Sequence, residues 1–395
     1  MSAASPAATS ERWLGLDALR GLSIAAMILV NNPGSWAPGY QYAPLQHADW
    51  HGCTPTDLVF PTFLFCAGVA IVPALHRKLA AGVPRGPLAA GIGKRVLWLV
   101  LLGWLLAAFP FVTFTDGMRF PEGRHTLFDP LLRMRFPGVL QRIGVCYGMA
   151  ALLFLFTKVA TQRLVLAACL LGYWVVITQV PVPGRGAPNL DDPMGTLQGW
   201  LDRLVFGSHI HVKGKYDPEG LLSTMGALAT CLLGVEAGRV LVSARALAAK
   251  AKLLLAGGLG AMVVGYAWSF VLPLNKPLWT SSYAVWTAGI ACGLLGVFVW
   301  AFEVRGWKRL AHPLQVYGVN ALLVFVGSGL LAKTLRLIVV THHGKDVTLP
   351  KAFFEAALLS WAEPKVASLL FALLWVSGWY AVLALLFRRG FVWKV

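Results

Sequence analysis

The feature that most constrains this chain is a series of long apolar runs without a formal charge. No Asp, Glu, Lys or Arg occurs in residues 96–114, 164–182, 253–274, 281–302 or 366–387. Each run is close to the ~20 residues that a helix needs to cross roughly 30 Å of hydrocarbon. Because lipid cannot satisfy open backbone groups, helices are the expected spanning structure.

Five further segments are nearly as apolar, and they bring the predicted spans to ten: 13–32, 54–75, 137–157, 219–238 and 313–332. The chain is 57% hydrophobic and 13% charged, whereas soluble domains carry roughly 25% charged residues. We therefore predict an all-α integral membrane protein, a polytopic bundle of about ten transmembrane helices. A single membrane domain, 13–387, would lie between an N-terminal tail, 1–12, and a C-terminal tail, 388–395.

The net charge of +17 would fit a nucleic-acid-binding protein, but its distribution indicates a membrane protein. Ten spans alternate the loops between two sides, and the side that holds both tails has only about 70 residues. It nevertheless carries more than half of the 34 Lys and Arg residues. The positive-inside rule makes that side cytoplasmic. Both termini are thus predicted to be cytoplasmic, and the partner of the excess charge is the lipid bilayer rather than nucleic acid.

Two charged residues fall inside the first span. Asp17 and Arg20 are three positions apart, so on a helix they share a face and can pair. Charged groups within a membrane are costly and are commonly functional. One interpretation is a structural ion pair that positions the helix. The other is that Arg20 receives a phosphate of a cofactor that enters from the cytoplasm.

Polar residues also gather at the opposite end of the first span and in the loop that follows. Asn31 ends the helix, His47, Asp49 and His51 lie in the loop, and Asp57 begins the second span. Asp57 could be an ordinary acid at a helix N-terminus or could orient a nearby imidazole. The loop has no recognised metal-ligand spacing, so we predict no metal. The concentration of these groups beside an apolar bundle favours chemistry.

Two polar residues within later spans have two open interpretations each. Arg142 in the fourth span and Asn320 in the ninth could each be a buried structural hydrogen-bonding group or a ligand contact. The outer-loop histidines, including His209 and His211, are expected to be solvated.

Several segments resemble the heparan-α-glucosaminide N-acetyltransferase family of membrane acetyltransferases. Near the start they are 16–21 (LDALRG), 30–31 (VN), 47–52 (HADWHG) and 57–65 (DLVFPTFLF). Further along they are 137–142 (PGVLQR), 217–223 (DPEGLLS), 276–280 (KPLWT) and 318–321 (GVNA). Each motif alone is weak, but together they run in order through nearly the whole span region.

The resemblance implies an enzyme that takes acetyl-CoA from the cytosol and passes the acetyl group to an amino sugar or glycan on the periplasmic side. The family's active-site His matches His47, and its neighbouring Asn matches Asn31. Where the family usually has Asn, this chain has His51. Animal members carry an additional lumenal domain and a preceding span, so we expect a bacterial-type, single-domain, multi-pass protein of the inner membrane, with a homodimer as one possibility.

The resemblance and the residue chemistry together predict three groups of site residues. In the catalytic group, His47 performs the proton transfer or carries the acetyl group, Asn31 donates to the oxyanion or holds the acceptor, and Asp57, or else Asp49, orients the ring. The residues predicted to bind acetyl-CoA are Arg20, Arg142, Asn320, Lys276 and Trp279. Those predicted to bind the acceptor are Asp49, Trp50, His51, Asp217 and Glu219.

Two rival functions remain open from the sequence. A transporter or exporter of a small polar solute would use Asp17, Arg20 and Arg142 as part of a pathway and would move solute without consuming CoA. A non-catalytic membrane scaffold would tolerate the loss of His47. The acetyltransferase is the favoured prediction because of the family resemblance.

Overall fold

The computed structural model describes residues 13–114, 125–127 and 129–393, with side chains described outside 112–130. The predicted cytoplasmic tail 1–12 and the last two residues of the predicted tail 388–395 lie outside the described residues. Within the described ranges the chain forms a helical bundle with two short antiparallel strand pairs.

The first half of the bundle contains eight α-helices and one strand pair. In chain order the elements are α1 Leu14–Asn31, α2 Val59–Ala80, α3 Arg85–Ala108, β1 Val112–Phe114, β2 His125–Leu127, α4 Asp129–Arg133, α5 Val139–Phe156, α6 Val159–Ala167, α7 Tyr173–Gln179 and α8 Leu197–Phe206. Short 3₁₀ turns occupy Ala43–Leu45, Pro55–Leu58 and Pro193–Gly195, and a π-helical turn, Ala168–Gly172, joins α6 to α7.

The second half has seven helices and the other strand pair. They are α9 Thr224–Val242, α10 Leu247–Ser269, α11 Ser281–Phe298, α12 Lys308–Val319, α13 Ala321–Leu337, β3 Val339–His342, β4 Lys345–Thr348, α14 Leu349–Phe353 and α15 Pro364–Arg388. Two π-helical segments, Val299–Val304 and Phe354–Leu359, extend α11 and α14.

The ten predicted crossings are confirmed in number and order. Nine continuous helical segments of the described chain are long and apolar enough to span a bilayer, and the tenth is the pair α12 and α13, bent by 64°. The ninth predicted span is therefore a broken helix, and its break falls at Asn320. With ten crossings the described chain begins and ends on one side, the terminal face; the other side, the loop face, carries the segments 32–54, 180–223, 270–280 and 338–363.

The centre of the bundle is formed by helices that approach one another at glycine. α2 crosses α9 where a Cβ on Gly68 would lie 1.9 Å from the carbonyl oxygen of Cys231, and a Cβ on Gly234 would lie 2.2 Å from that of Phe65. Without a hydrophobic force between helices in lipid, such close backbone packing is a principal source of association. Only 11% of the apolar window of α15 is buried, which is the expected state of a helix at the lipid boundary.

The loop face carries most of the irregular structure. α8, Leu197–Phe206, lies on this face, and so do α14 and its π-helical extension. The loop from α1 to α2 also lies here and carries His47, so the bundle supplies a rigid base for residues that belong to no long element.

The α2–α9 crossing predicts the effect of one methyl group. Gly68→Ala should destabilise the protein by about 1–3 kcal/mol or more, because the new Cβ cannot fit against the Cys231 carbonyl without separating the helices. Thermal unfolding in detergent measures the change. Gly257→Ala is the matched control, since a Cβ there meets nothing within 4 Å; equal unfolding temperatures for the two variants would contradict the packing argument.

Candidate active site

His47 and Asp57 form a close pair on the loop face. His47 Nδ1 lies 2.6 Å from Asp57 Oδ1, and the other carboxylate oxygen of Asp57 accepts hydrogen bonds from the backbone N–H groups of Ala48 and Thr54, each at 3.1 Å. Thr54 and Asp57 also form a capping box at the start of the Pro55–Leu58 turn. The same carboxylate therefore caps the entrance to α2 and holds the imidazole.

The pairing determines which ring nitrogen of His47 is available for chemistry. An ionised carboxylate only accepts hydrogen bonds, so Nδ1 carries the proton that it receives. In the described part of the chain no group is hydrogen-bonded to Nε2. The His47 side chain is 53% exposed, whereas Asp57 is 1% exposed. The arrangement presents an accessible base or nucleophile whose orientation is fixed by the Asp57 carboxylate.

Lys276 joins this pair from the turn between α10 and α11. Its Nζ lies 3.1 Å from His47 Nδ1 and 3.4 Å from Asp57 Oδ1. Burial lowers the pKa of the Lys276 amine, while the Asp57 carboxylate opposes that shift. Because one nitrogen of an imidazole makes one strong hydrogen bond, Asp57 and Lys276 compete for Nδ1, and the shorter contact belongs to Asp57.

His47 and Lys276 border a cavity of about 360 Å³, here called the outer cavity, and Asp57 is buried behind them. Its polar lining residues include Asn31, His47, Arg135, His211, Glu219 and Lys276. Asn31, the last residue of α1, lines the same cavity as His47. The predicted role of Asn31 as an amide donor requires that the two side chains share a cavity.

Arg135 organises the acidic wall of the outer cavity. Its Nε donates to Asp217 at 2.7 Å, and its Nη2 contacts both Asp217 and Glu219. Burial lowers the pKa of the Arg135 guanidinium, but the charges and hydrogen bonds of Glu219 and Asp217 outweigh it and raise the pKa above its ordinary value. Asp217 is fully buried behind the wall, whereas Glu219 reaches the cavity.

Arg142 lies beneath this wall and is almost fully buried. Its guanidinium donates to the carbonyl oxygens of Pro218 and Gly220, each at 2.9 Å, and to Ser223 Oγ at 2.5 Å. It also stands 5.2 Å from the ring centroid of Trp279. Neither Arg142 nor Trp279 lines the outer cavity. These contacts favour the structural interpretation of Arg142.

A second cavity of about 170 Å³, the inner cavity, lies nearer the terminal face. Its lining includes Arg20 and Arg95. Arg20 pairs with Asp17 at 2.6 Å and donates through Nε to the carbonyl oxygen of Gly318 at 2.7 Å. Arg95 lies 4.7 Å from the ring centroid of Tyr147. The predicted Asp17–Arg20 pair is thus present, and its arginine also borders a cavity.

The two cavities abut one another. Met27, Val139 and Phe325 line both of them and form an apolar collar. α1 runs past both cavities, because Arg20 and Ile24 line the inner one, Met27 the collar, and Asn31 the outer one. Asn31 comes eleven positions after Arg20, which corresponds to roughly 16 Å along a helix.

Other residues from the predicted site lie outside both cavities. Asp49 is exposed on the loop. The indole N–H of Trp50 donates to the carbonyl oxygen of Leu190 at 2.7 Å, and His51 Nε2 lies 2.9 Å from Asp191. Asn320 lies at the α12–α13 break. Its amide group binds the backbone of Phe391 and Trp393 in the C-terminal segment.

Three residues that line the cavities were missed by the sequence reasoning. Arg135 precedes the 137–142 motif by two positions. Its partners Asp217 and Glu219 are distant in sequence, so only the fold shows that the three charges lie together. His211 was expected to be solvated; it is exposed, but it borders the outer cavity. Arg95 was counted only as a basic loop residue. Among the described residues, no three His, Cys, Asp or Glu side chains converge on a metal site.

Comparison with known proteins identifies related sequences. Residues 12–185 match the model of the family described as heparan-alpha-glucosaminide N-acetyltransferase, catalytic. That range contains Arg20, Asn31, His47 and Asp57, whereas Lys276 and Glu219 lie beyond it.

Two curated relatives carry the name heparan-alpha-glucosaminide N-acetyltransferase. The human protein is 28% identical over 383 residues, covering 81% of this chain and 53% of the relative. The mouse protein is 27% identical over 440 residues, covering 98% of this chain and 61% of the relative. The chain thus spans between about half and three fifths of the length of these relatives.

The contacts of Arg142 predict a loss of stability on a conservative change. Arg142→Lys should destabilise the protein by about 1.5–3 kcal/mol, because one ammonium cannot reproduce the fork of bonds to Pro218, Gly220 and Ser223. Thermal unfolding of the purified protein tests this. If the variant instead unfolds like the parent and binds acetyl-CoA more weakly, Arg142 is a ligand contact and the structural interpretation is wrong.

Proposed function

Since the chain is a distant relative of the heparan-α-glucosaminide N-acetyltransferase family, we propose that it is a membrane acetyltransferase. It moves an acetyl group from acetyl-CoA to the amine of an amino sugar or glycan, with His47 as the catalytic residue. The observation that carries the proposal is His47, oriented by buried Asp57, in the wall of a cavity that abuts a second, arginine-lined cavity.

His47 Nε2 performs the central step. Transfer of acetyl from a thioester to an amine forms a C–N bond, breaks the C–S bond and moves one proton from the amine. Nε2 either accepts that proton during direct transfer or first takes the acetyl group and then yields it to the amine. In both routes Asp57 keeps the proton on Nδ1 while Nε2 is the free base, and the Asn31 amide is available to donate to the oxyanion.

The inner cavity is the proposed site of the donor. Arg20 and Arg95 supply the positive charge that the CoA phosphates require, and the pantetheine arm would pass the Met27–Val139–Phe325 collar toward His47. If the terminal face is cytoplasmic, as the positive-inside rule predicts, the donor comes from the cytosol. The acceptor then lies on the periplasmic side of a bacterial inner membrane.

The charges around the outer cavity suit an amine acceptor. Three carboxylates, on Asp57, Asp217 and Glu219, face two cations, on Lys276 and Arg135. Asp57 and Asp217 are buried behind the lining, and Glu219 is the carboxylate that reaches the cavity. An ammonium group would therefore be attracted to this wall before it loses its proton to become a nucleophile.

A transporter of a small polar solute is the second candidate, and the two abutting cavities are the observation that favours it. Such a protein would move solute across proteoliposomes without consuming acetyl-CoA. The acetyltransferase consumes acetyl-CoA in proportion to the acetylated product. Measuring CoA release and solute flux on the same preparation separates the two functions.

The role of His47 predicts a large loss of activity on truncation. His47→Ala should lower the acetyl-transfer rate by about 10²–10⁴-fold, the usual contribution of a positioned acid–base group. The assay is product formation from acetyl-CoA and a glucosamine-containing acceptor by purified protein. His343→Ala, at an exposed hairpin histidine, is the matched control and should keep full activity. Retained activity in the His47 variant would exclude it as the catalytic residue.

The donor site predicts a selective effect of Arg95. Arg95→Met should raise the KM for acetyl-CoA by about 10-fold or more with little change in kcat, because a charge-assisted phosphate contact is lost while His47 is untouched. Arg85→Met, an exposed arginine in the first turn of the same helix, should leave both constants near those of the parent. An unchanged KM in the Arg95 variant would place the CoA phosphates elsewhere.

A further inference from the structure

The segment that carries His47 has little regular structure of its own. Between the end of α1 and the Pro55–Leu58 turn it contains only the short Ala43–Leu45 turn. Asp57 holds the segment near His47 and Ala48. The position of the imidazole therefore also depends on what holds the remainder, residues 50–52.

Asn275 holds that remainder. Its side chain is fully buried, and Nδ2 donates to the carbonyl oxygen of Trp50 at 3.0 Å and to His51 Nδ1 at 3.2 Å. Its Oδ1 accepts from the backbone N–H of Leu278 at 2.7 Å. Both amide hydrogens and the amide oxygen are thus used, which fixes the orientation of the amide.

The turn that contains Asn275 also reaches the catalytic pair directly. The adjacent Leu274 carbonyl accepts from the backbone N–H of Gly52 at 2.7 Å, and the next residue, Lys276, contacts both His47 and Asp57. Leu274 and Asn275 therefore contact the 47–52 segment at residues 50–52, and Lys276 contacts its other end at His47. A change in this turn would move the segment as a unit.

The contacts also give a role to His51, the residue that departs from the family pattern. Its Nδ1 accepts from Asn275 and its Nε2 lies 2.9 Å from Asp191, so Nε2 carries the ring proton. The ring lies between a buried amide and an exposed carboxylate and borders neither cavity. Through these contacts His51 helps to hold the 47–52 segment, and it does not add a second imidazole to the outer cavity.

We infer that Asn275 is a positioning residue for His47 in acetyl transfer, an inference that rests on the proposed function. It acts through the backbone of Trp50 and the ring of His51. A displacement of about 1 Å at a catalytic group can lower a rate by about 100-fold. Asn275 thus has a role in turnover although it lines neither cavity.

The test is Asn275→Asp, which keeps the size and the oxygen that faces Leu278 but replaces the NH₂ donor with an acceptor against the Trp50 carbonyl. We expect kcat to fall by about 10–100-fold, with the KM for acetyl-CoA unchanged because Asn275 does not line the inner cavity. The kcat is normalised to the folded fraction measured by size-exclusion chromatography. A purely structural role would lower that fraction and leave the normalised kcat unchanged.

The matched control is Gln162→Glu, the same amide-to-carboxylate change at a buried amide that holds the α5–α6 connection near the terminal face, and it should keep the parental kcat. His51→Phe leaves Asn275 in place and decides the question if the first variant is not recovered folded: a lowered kcat supports the inference and an unchanged one overturns it. A normal kcat for Asn275→Asp, with active parent protein, overturns the inference alone. An inactive parent overturns the proposed function.

Discussion

The interaction on which the site depends is the set of hydrogen bonds around the Asp57 carboxylate. One oxygen faces His47 Nδ1, and the other accepts from the backbone of Ala48 and Thr54. A buried carboxylate is stable only when its lone pairs are satisfied, and here the partners that satisfy it are the loop that carries His47 and the start of α2. Helix capping and orientation of the imidazole are one structural arrangement, so neither can change without the other.

The bundle contributes two cavities that share three apolar lining residues. α1 presents Arg20, Met27 and Asn31 at successive depths, beside cavities on either side of an apolar collar. Charges lie at the two ends and apolar side chains lie between them, as expected where polar groups are costly at membrane depth. This arrangement would allow a donor on one side to meet an acceptor on the other.

The loop face is held by buried polar groups rather than by regular secondary structure. Arg142 binds the 218–223 turn, and Arg135 binds Asp217 and Glu219. Asn275 binds the 47–52 segment. Such networks position groups well only when every member is satisfied. They explain how segments rich in Pro and Gly can hold the polar groups of the outer cavity at fixed distances.

The sequence by itself determined the ten crossings, because hydropathy is a local property and a crossing needs only one sufficiently long apolar run. The Asp17–Arg20 pair was equally accessible, since its partners are three residues apart. Only the tertiary structure brought Lys276 to His47, 229 positions away. It also decided that the Asn320 amide joins the C-terminal segment at a helix break. Contacts of that kind depend on which helices pack together, and helix packing cannot be derived from the local patterns of a single sequence.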